Sequence, residues 1–288
     1  MINRLNRLNF VPYKTTILLG FMGLNFLLTG VDVLIAHSQN DFFRWEVIPL
    51  IFTPLAVLAV LAQLVFNHSV VVKRTFQTVM WVGVVVGVVG TLFHLTGNAT
   101  SSHESYNRLL VAGSPIAAPI AFAGISCYAL ASAHYHGTTR RSKLLVLVGL
   151  GFLGAVMAAF LDHARLGFVP TYTLIPLVSG TLATLTCFYM AYGQANPKET
   201  YICLSILALN LLVGILGFGF HLIGDLAGTQ TIVWARIMYR NPLLGPLLFC
   251  NLALLGGLSL LPESEVRLET IQDQKVNHFH HHLHNFSN

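Results

Sequence analysis

Four histidines stand in stretches otherwise apolar enough for a membrane interior: His37 in LIAHSQ, His94 in GTLFHLTGN, His163 in LDHARL and His221 in GFGFHLIGD. An imidazole is costly in hydrocarbon, and an ionisable group placed there is a functional hypothesis by default. Imidazole is also a common ligand of haem iron and of transition metals. Asp32 and Asp162 lie near His37 and His163, at different spacings, and are secondary candidates as metal ligands.

His94 and His221 are 127 positions apart, and the same offset aligns Gly87 with Gly214, Gly90 with Gly217, Phe93 with Phe220 and Gly97 with Gly224. It holds beyond this motif, pairing Pro49 with Pro176 inside a shared IPL triplet, Pro115 with Pro242, Pro119 with Pro246 and Phe122 with Phe249. One gapless offset over this span reads as a tandem duplication. His37 and His163 become a second equivalent pair once the first loop of the second half is allowed one extra residue.

The elements that carry these residues follow from composition. The chain has 288 residues, 55% hydrophobic and 9% charged, far below the quarter or so of charged residues usual in a soluble domain. A membrane span needs about 20 mainly apolar residues. Eight such runs stand between polar clusters, over 17–36, 47–66, 76–96, 109–133, 144–163, 172–192, 201–223 and 242–261. Without strand alternation, segments in lipid satisfy their backbone amides as helices. The expected fold is therefore all-α and polytopic, eight transmembrane helices in two tandem four-helix bundles. Its divisions are a segment 1–14, a first repeat 15–133, a basic linker 134–143, a second repeat 144–261 and a His-rich tail 262–288. The first apolar run is too long for a secretory signal core and has no small-residue cleavage pattern after it, so it reads as a retained helix.

An even number of spans per repeat gives both repeats the same orientation, related by an axis along the membrane normal. Orientation follows from Lys and Arg. Arg4, Arg7, Lys14, Lys73, Arg74, Arg140, Arg141, Lys143, Lys198, Arg267 and Lys275 fall on one side, against Arg44, Arg108, Arg165, Arg236 and Arg240 on the other. The richer side is expected to be cytoplasmic, with both termini there. The net charge of +5 thus reports topology. With the basic residues in short loops, it gives no footprint for nucleic acid.

In an up-down bundle the first and third helices lie diagonally across the core. His37 then faces His94, and His163 faces His221, near the outer face of the membrane. Such pairs suit a bis-histidine b-type haem, or half the ligand set of a transition metal. Gly87 and Gly90 share a helical face with His94, and a glycine groove there admits a flat macrocycle. The competing reading is structural, since glycines let membrane helices approach and a polar side chain beside them often bonds a neighbour.

The expected function is a haem- or metal-binding redox component or subunit at the outer face of a cell inner or plasma membrane, exchanging electrons with quinone or a periplasmic partner. Trp45, His103, Glu104, Tyr172 and Trp234 in the outer loops are candidates to line a quinone headgroup site. The alternatives are a non-redox transporter or permease, of metal ions for example, and an accessory subunit. Cys127, Cys187, Cys203 and Cys250 lie inside helices without CxxC spacing and read as packing residues. His134 and His136 read as solvated loop residues, and the tail HFHHHLH as a weak metal binder. No HExxH, GxSxG or phosphate loop is present. On this topology, cysteines introduced at Ser101 and Thr229 are labelled by an impermeant maleimide on intact cells and one at Thr138 is not; labelling at Thr138 reverses the orientation.

Overall fold

Proline and glycine set where the helices begin and how closely they pack. The computed structural model describes residues 13–38, 42, 44–100, 115–164, 167–193, 196–227 and 244–261, without the side chains of 98–100. Among them the elements are α1 (Lys14–His37), α2 (Val47–Val65), α3 (Val70–Thr100), α4 (Ile120–His134), α5 (Gly137–Ala164), α6 (Ile175–Tyr192), α7 (Pro197–Leu226) and α8 (Leu247–Leu260), with a 3-10 turn at Thr171–Leu174 leading into α6. No strand occurs among the described residues. α7 has the plainest local signal: Pro197 occupies its first turn, and Asn196 and Glu199 form a reciprocal capping box.

Six of these helices are long and apolar enough to cross a membrane: α1, α2, α3 through Gly97, α5, α6 with its 3-10 turn, and α7. α4 and α8 are shorter than the runs 109–133 and 242–261 anticipated from hydropathy, with 15 and 14 residues. Their N-caps are Pro119 and Pro246. Proline lacks the N–H that an inner turn needs and restrains the residue before it, so the helix starts there. At 1.5 Å per residue these two helices reach only about 21–23 Å, short of the ~30 Å hydrocarbon layer. The expected linker 134–143 is largely helical. Only Tyr135 and His136 separate α4 from α5, and Gly137, with φ +59°, supplies the left-handed step.

α1 packs on α2, α2 on α3, α3 on α4 and α4 back on α1; α5 through α8 make the same ring, and the two rings meet where α4 touches α5 and α1 touches α8. Phe26, Phe52 and Phe122 fill the first ring, with Phe52 edge-on to both others. Phe152 and Phe249 fill the second. The outward faces remain apolar, with Leu58, Val85, Leu185 and Ile223 all about 60% exposed. A chain with so much exposed apolar surface belongs in a lipid bilayer.

Glycines set the approach of α3 to α4 and of α7 to α8. A methyl group on Gly87 stands 2.6 Å from the backbone nitrogen of Ala123 and 3.0 Å from the Pro119 carbonyl; on Gly214 it stands 2.9 Å from the Cys250 nitrogen and 2.7 Å from the Pro246 carbonyl. Gly90 and Gly217 meet Pro119 Cβ and Pro246 Cβ in the same way. Elsewhere Gly30 meets Thr53, and Val156 meets Gly180. Gly83 makes room for Phe52, and Asn210 donates to the carbonyl of Ser179.

The rings are joined at one end by buried polar groups. Lys14, 2% exposed, donates from Nζ to the carbonyls of Ser259 (3.2 Å) and Leu261 (2.7 Å) at the end of α8. Arg140, 4% exposed, donates to the Ser132 carbonyl at the end of α4 (3.1 Å) and to Thr15 Oγ1 (2.6 Å). Each cation thus meets the carbonyl end of a helix in the other ring, where the helix dipole favours positive charge. Tyr128 crosses the same interface, its hydroxyl donating to the Leu255 carbonyl 3.1 Å away and lying 2.9 Å from Ser259 Oγ.

Gly214→Leu is expected to destabilise the protein by about 1–3 kcal/mol through overpacking against α8. Gly219→Ala, at a position with nothing within 4 Å, is expected to leave it unchanged. Thermal melting of the detergent-solubilised protein checks the pair, and equal melting temperatures reject the close approach.

Candidate functional site

The C-terminal ends of α1 and α3 bring His37 and His94 together, with ring centroids 6.3 Å apart and ring planes at 63°. His94 Nδ1 lies 3.0 Å from the Pro115 carbonyl. That bond ties the end of α3 to the approach of α4 and leaves Nε2 of His94 for a ligand, the outer-shell arrangement seen in metal-binding imidazoles. His37 Nδ1 is buried and has no hydrogen-bond partner. Glu46, just before α2, is within electrostatic reach of His94.

At the corresponding end of the second ring, His163 of α5 and His221 of α7 lie within electrostatic reach of each other. Asp225, one turn beyond His221, is fully buried. Tyr172 stacks on Phe220 with centroids 5.1 Å apart at 28°, beside His221. Trp45 is half exposed, with the Arg44 guanidinium 5.4 Å over its ring. His103, Glu104, Trp234 and the tail 262–288 lie outside the described residues.

The two acids near the first-helix histidines take different places. Asp32 is exposed on the outside of α1, within electrostatic reach of His37, and Asp162 acts on its neighbour His163. Among the described residues, no group of three or more His, Cys, Asp or Glu side chains is placed to hold a metal ion.

The glycine groove expected beside His94 is filled. The space at Gly87 and Gly90 is taken by Pro119 and Ala123, so α4 occupies the face proposed for a macrocycle. The reason is the lack of a strong hydrophobic drive between helices in lipid, which makes the close fit of small residues the main attraction. Gly97, one turn beyond His94, still opens onto free space.

Two arrangements escape a reading of the sequence. His134 is the last residue of α4, and its Nε2 lies 2.5 Å from Gln77 Nε2 on α3, so it bridges helices. Cys187 and Cys203 face each other between α6 and α7, and all four cysteines are free. Positions 187 and 203 are nearly the same distance from the loop joining two antiparallel helices, which is a usable signal for contact.

The chain matches no protein-family model, no curated protein and no solved structure. His94→Ala removes the bond to the Pro115 carbonyl and is expected to lower stability by about 1 kcal/mol. An unchanged melting temperature assigns that bond no weight.

Proposed function

We propose that this integral membrane protein consists of two tandem four-helix bundles, with both termini cytoplasmic, and that the histidine pair at the outer end of each bundle binds a redox-active metal, as an ion or as haem iron. On this reading it is a redox component or subunit, exchanging electrons at the outer face with quinone or an extracytoplasmic partner. The duplication is supported by contacts that recur at the 127-residue offset: Gly87 on Ala123 and Gly214 on Cys250, Gly90 on Pro119 and Gly217 on Pro246. The cross-ring caps add to it. Lys14 and Arg140 are 126 positions apart, the carbonyls they meet, those of Ser259 and Ser132, are 127 apart, and each cation serves the opposite ring. Such reciprocity is the mark of an interface built on a two-fold axis.

The observation that carries the metal reading is the 6.3 Å between the His37 and His94 centroids. Two imidazoles on opposite sides of one metal, with bonds of about 2 Å and about 1.1 Å from nitrogen to ring centre, put their centroids about 6 Å apart. The orphaned Nδ1 of His37 is a further reason to place a ligand there. Of the two occupants a bare ion is the better fit, because α4 fills the glycine face a haem would use. An ion held by only two imidazoles keeps open positions for water or an exogenous ligand, and supplies one-electron chemistry when it is bound.

The His94 bond to the Pro115 carbonyl favours a second reading, in which the histidines lock helix ends in an accessory subunit or a non-redox permease. Absorption spectroscopy and metal analysis of the purified protein separate these. A stoichiometric transition metal, or a Soret band, lost in His37→Ala and His94→Ala supports the proposal. A colourless, metal-free wild type that remains folded after incubation with copper, iron and haem rejects it.

A further inference from the structure

At Gly214 and Gly217, α7 lies directly against Cys250 and Pro246 at the start of α8. Toward the ends opposite the histidines, the two helices leave a groove of about 270 Å³ between them. Leu204, Leu207 and Leu211 of α7 form one wall; Ala253, Gly257 and Leu261, at and just past the end of α8, form the other. A methyl group built on Gly257 meets nothing within 4 Å, so the space is open there. Leu254 on its rim is 44% exposed, and the groove therefore opens outward, on the side that faces lipid. The positions 127 residues before Leu204 and Leu261 are Gln77 and His134, whose side chains bond to each other across α3 and α4. Where that pair is tied by a polar bridge, α7 and α8 carry two leucines.

Length and charge identify the occupant. Leu204 to Leu211 and Ala253 to Leu261 extend about 10–12 Å at 1.5 Å per residue, which fits within the ~15 Å depth of one leaflet. A partner's transmembrane helix needs a seat across the whole ~30 Å layer, whereas an acyl chain needs only one leaflet. Tyr192 and Tyr201, both exposed, mark this end of α6 and α7 as headgroup level. Two cations flank the mouth. Lys198, in the first turn of α7, is exposed, and Lys14 rests its Nζ on the Leu261 carbonyl, 2.7 Å away. The acid beside Lys198 is engaged elsewhere: Glu199 accepts from the Tyr189 hydroxyl and from the Asn196 N–H. An ammonium at a helix N-terminus, less than two turns above an apolar groove, suits a phosphate with a hydrocarbon chain below it.

We propose that the α7–α8 groove binds one anionic phospholipid from the leaflet on the Lys14 side, with an acyl chain between Leu204 and Gly257 and the phosphate on Lys198. The lipid fills a space that no side chain of the described residues fills, and it holds the ends of α7 and α8 together where no polar bridge does. This site is separate from the histidines and holds whichever side of the membrane is cytoplasmic.

The test uses the full chain in phosphatidylcholine nanodiscs containing a small share of phosphatidylglycerol with a diazirine in one acyl chain, irradiated and digested for mass spectrometry. The label is expected to concentrate in 204–211 and 253–261, above the level on the outward faces of α2 and α6. Gly257→Leu fills the groove and is expected to lower that label roughly tenfold with the melting temperature unchanged, while Gly219→Leu, in open space at the other end of α7, leaves the label as it was. Lys198→Gln is expected to weaken competition by unlabelled phosphatidylglycerol about fivefold and to leave competition by phosphatidylcholine unchanged. Label spread evenly over the outward faces, as bulk lipid gives, overturns the proposal. So does undiminished label in Gly257→Leu, or a disulfide between two chains of Gly257→Cys, which assigns the groove to a second copy. Should Gly257→Leu fail to fold, the label map of the wild type decides alone.

Discussion

The whole arrangement depends on two backbone contacts, α3 against α4 at Gly87 and α7 against α8 at Gly214. In lipid, apolar side chains gain little by leaving their surroundings, since acyl chains are as apolar as leucine. What holds helices together is dispersion at short range and the few polar bonds that hydrocarbon cannot replace. A glycine opposite a proline-capped helix start delivers the first. It lets the short helices α4 and α8 seat their opening turns directly on the neighbouring backbone, and from there the rings close onto α1 and α5.

The histidines sit where that seating ends. His94 is one turn beyond Gly90, and its bond to the Pro115 carbonyl continues the same α3–α4 contact with a polar group. His37 arrives from the diagonal helix, so its distance from His94 is set by the helices that pack between α1 and α3 around the ring. A pair held this way is positioned by rigid elements, which is what a ligand pair needs. The same packing that positions the pair also removes the flat slot beside it. Site and scaffold therefore compete for the small residues.

The long apolar helices were legible in the sequence because hydropathy is a one-dimensional signal. The long helices fell where the apolar runs place them, and the meeting of His37 with His94 followed from counting spans. The short starts of α4 and α8 were less legible: Pro115 and Pro242 also stand in the apolar runs, and composition does not say which proline of each pair ends up as the N-cap. Of the two readings of the glycine face of His94, the sequence did not choose, because periodicity identifies a shared face without saying what fills it. The nearness of Cys187, Cys203 and Arg141, the cysteines having been read as packing residues, was not legible for a different reason. They come from three helices, and only the register of α6 on α7 and the proximity of α5 make them neighbours.

The cross-ring caps bear on the order in which the molecule is completed during synthesis. Lys14 opens the first helix, yet the carbonyls that receive its ammonium belong to Ser259 and Leu261, some 245 residues later. Until α8 emerges, those two acceptors are missing. The first helix can insert early but cannot settle into its final seat until the last one arrives. Arg140 has its acceptors at once, because α4 and α1 precede it. Assembly thus has a built-in end point: the last helix closes onto the start of the first.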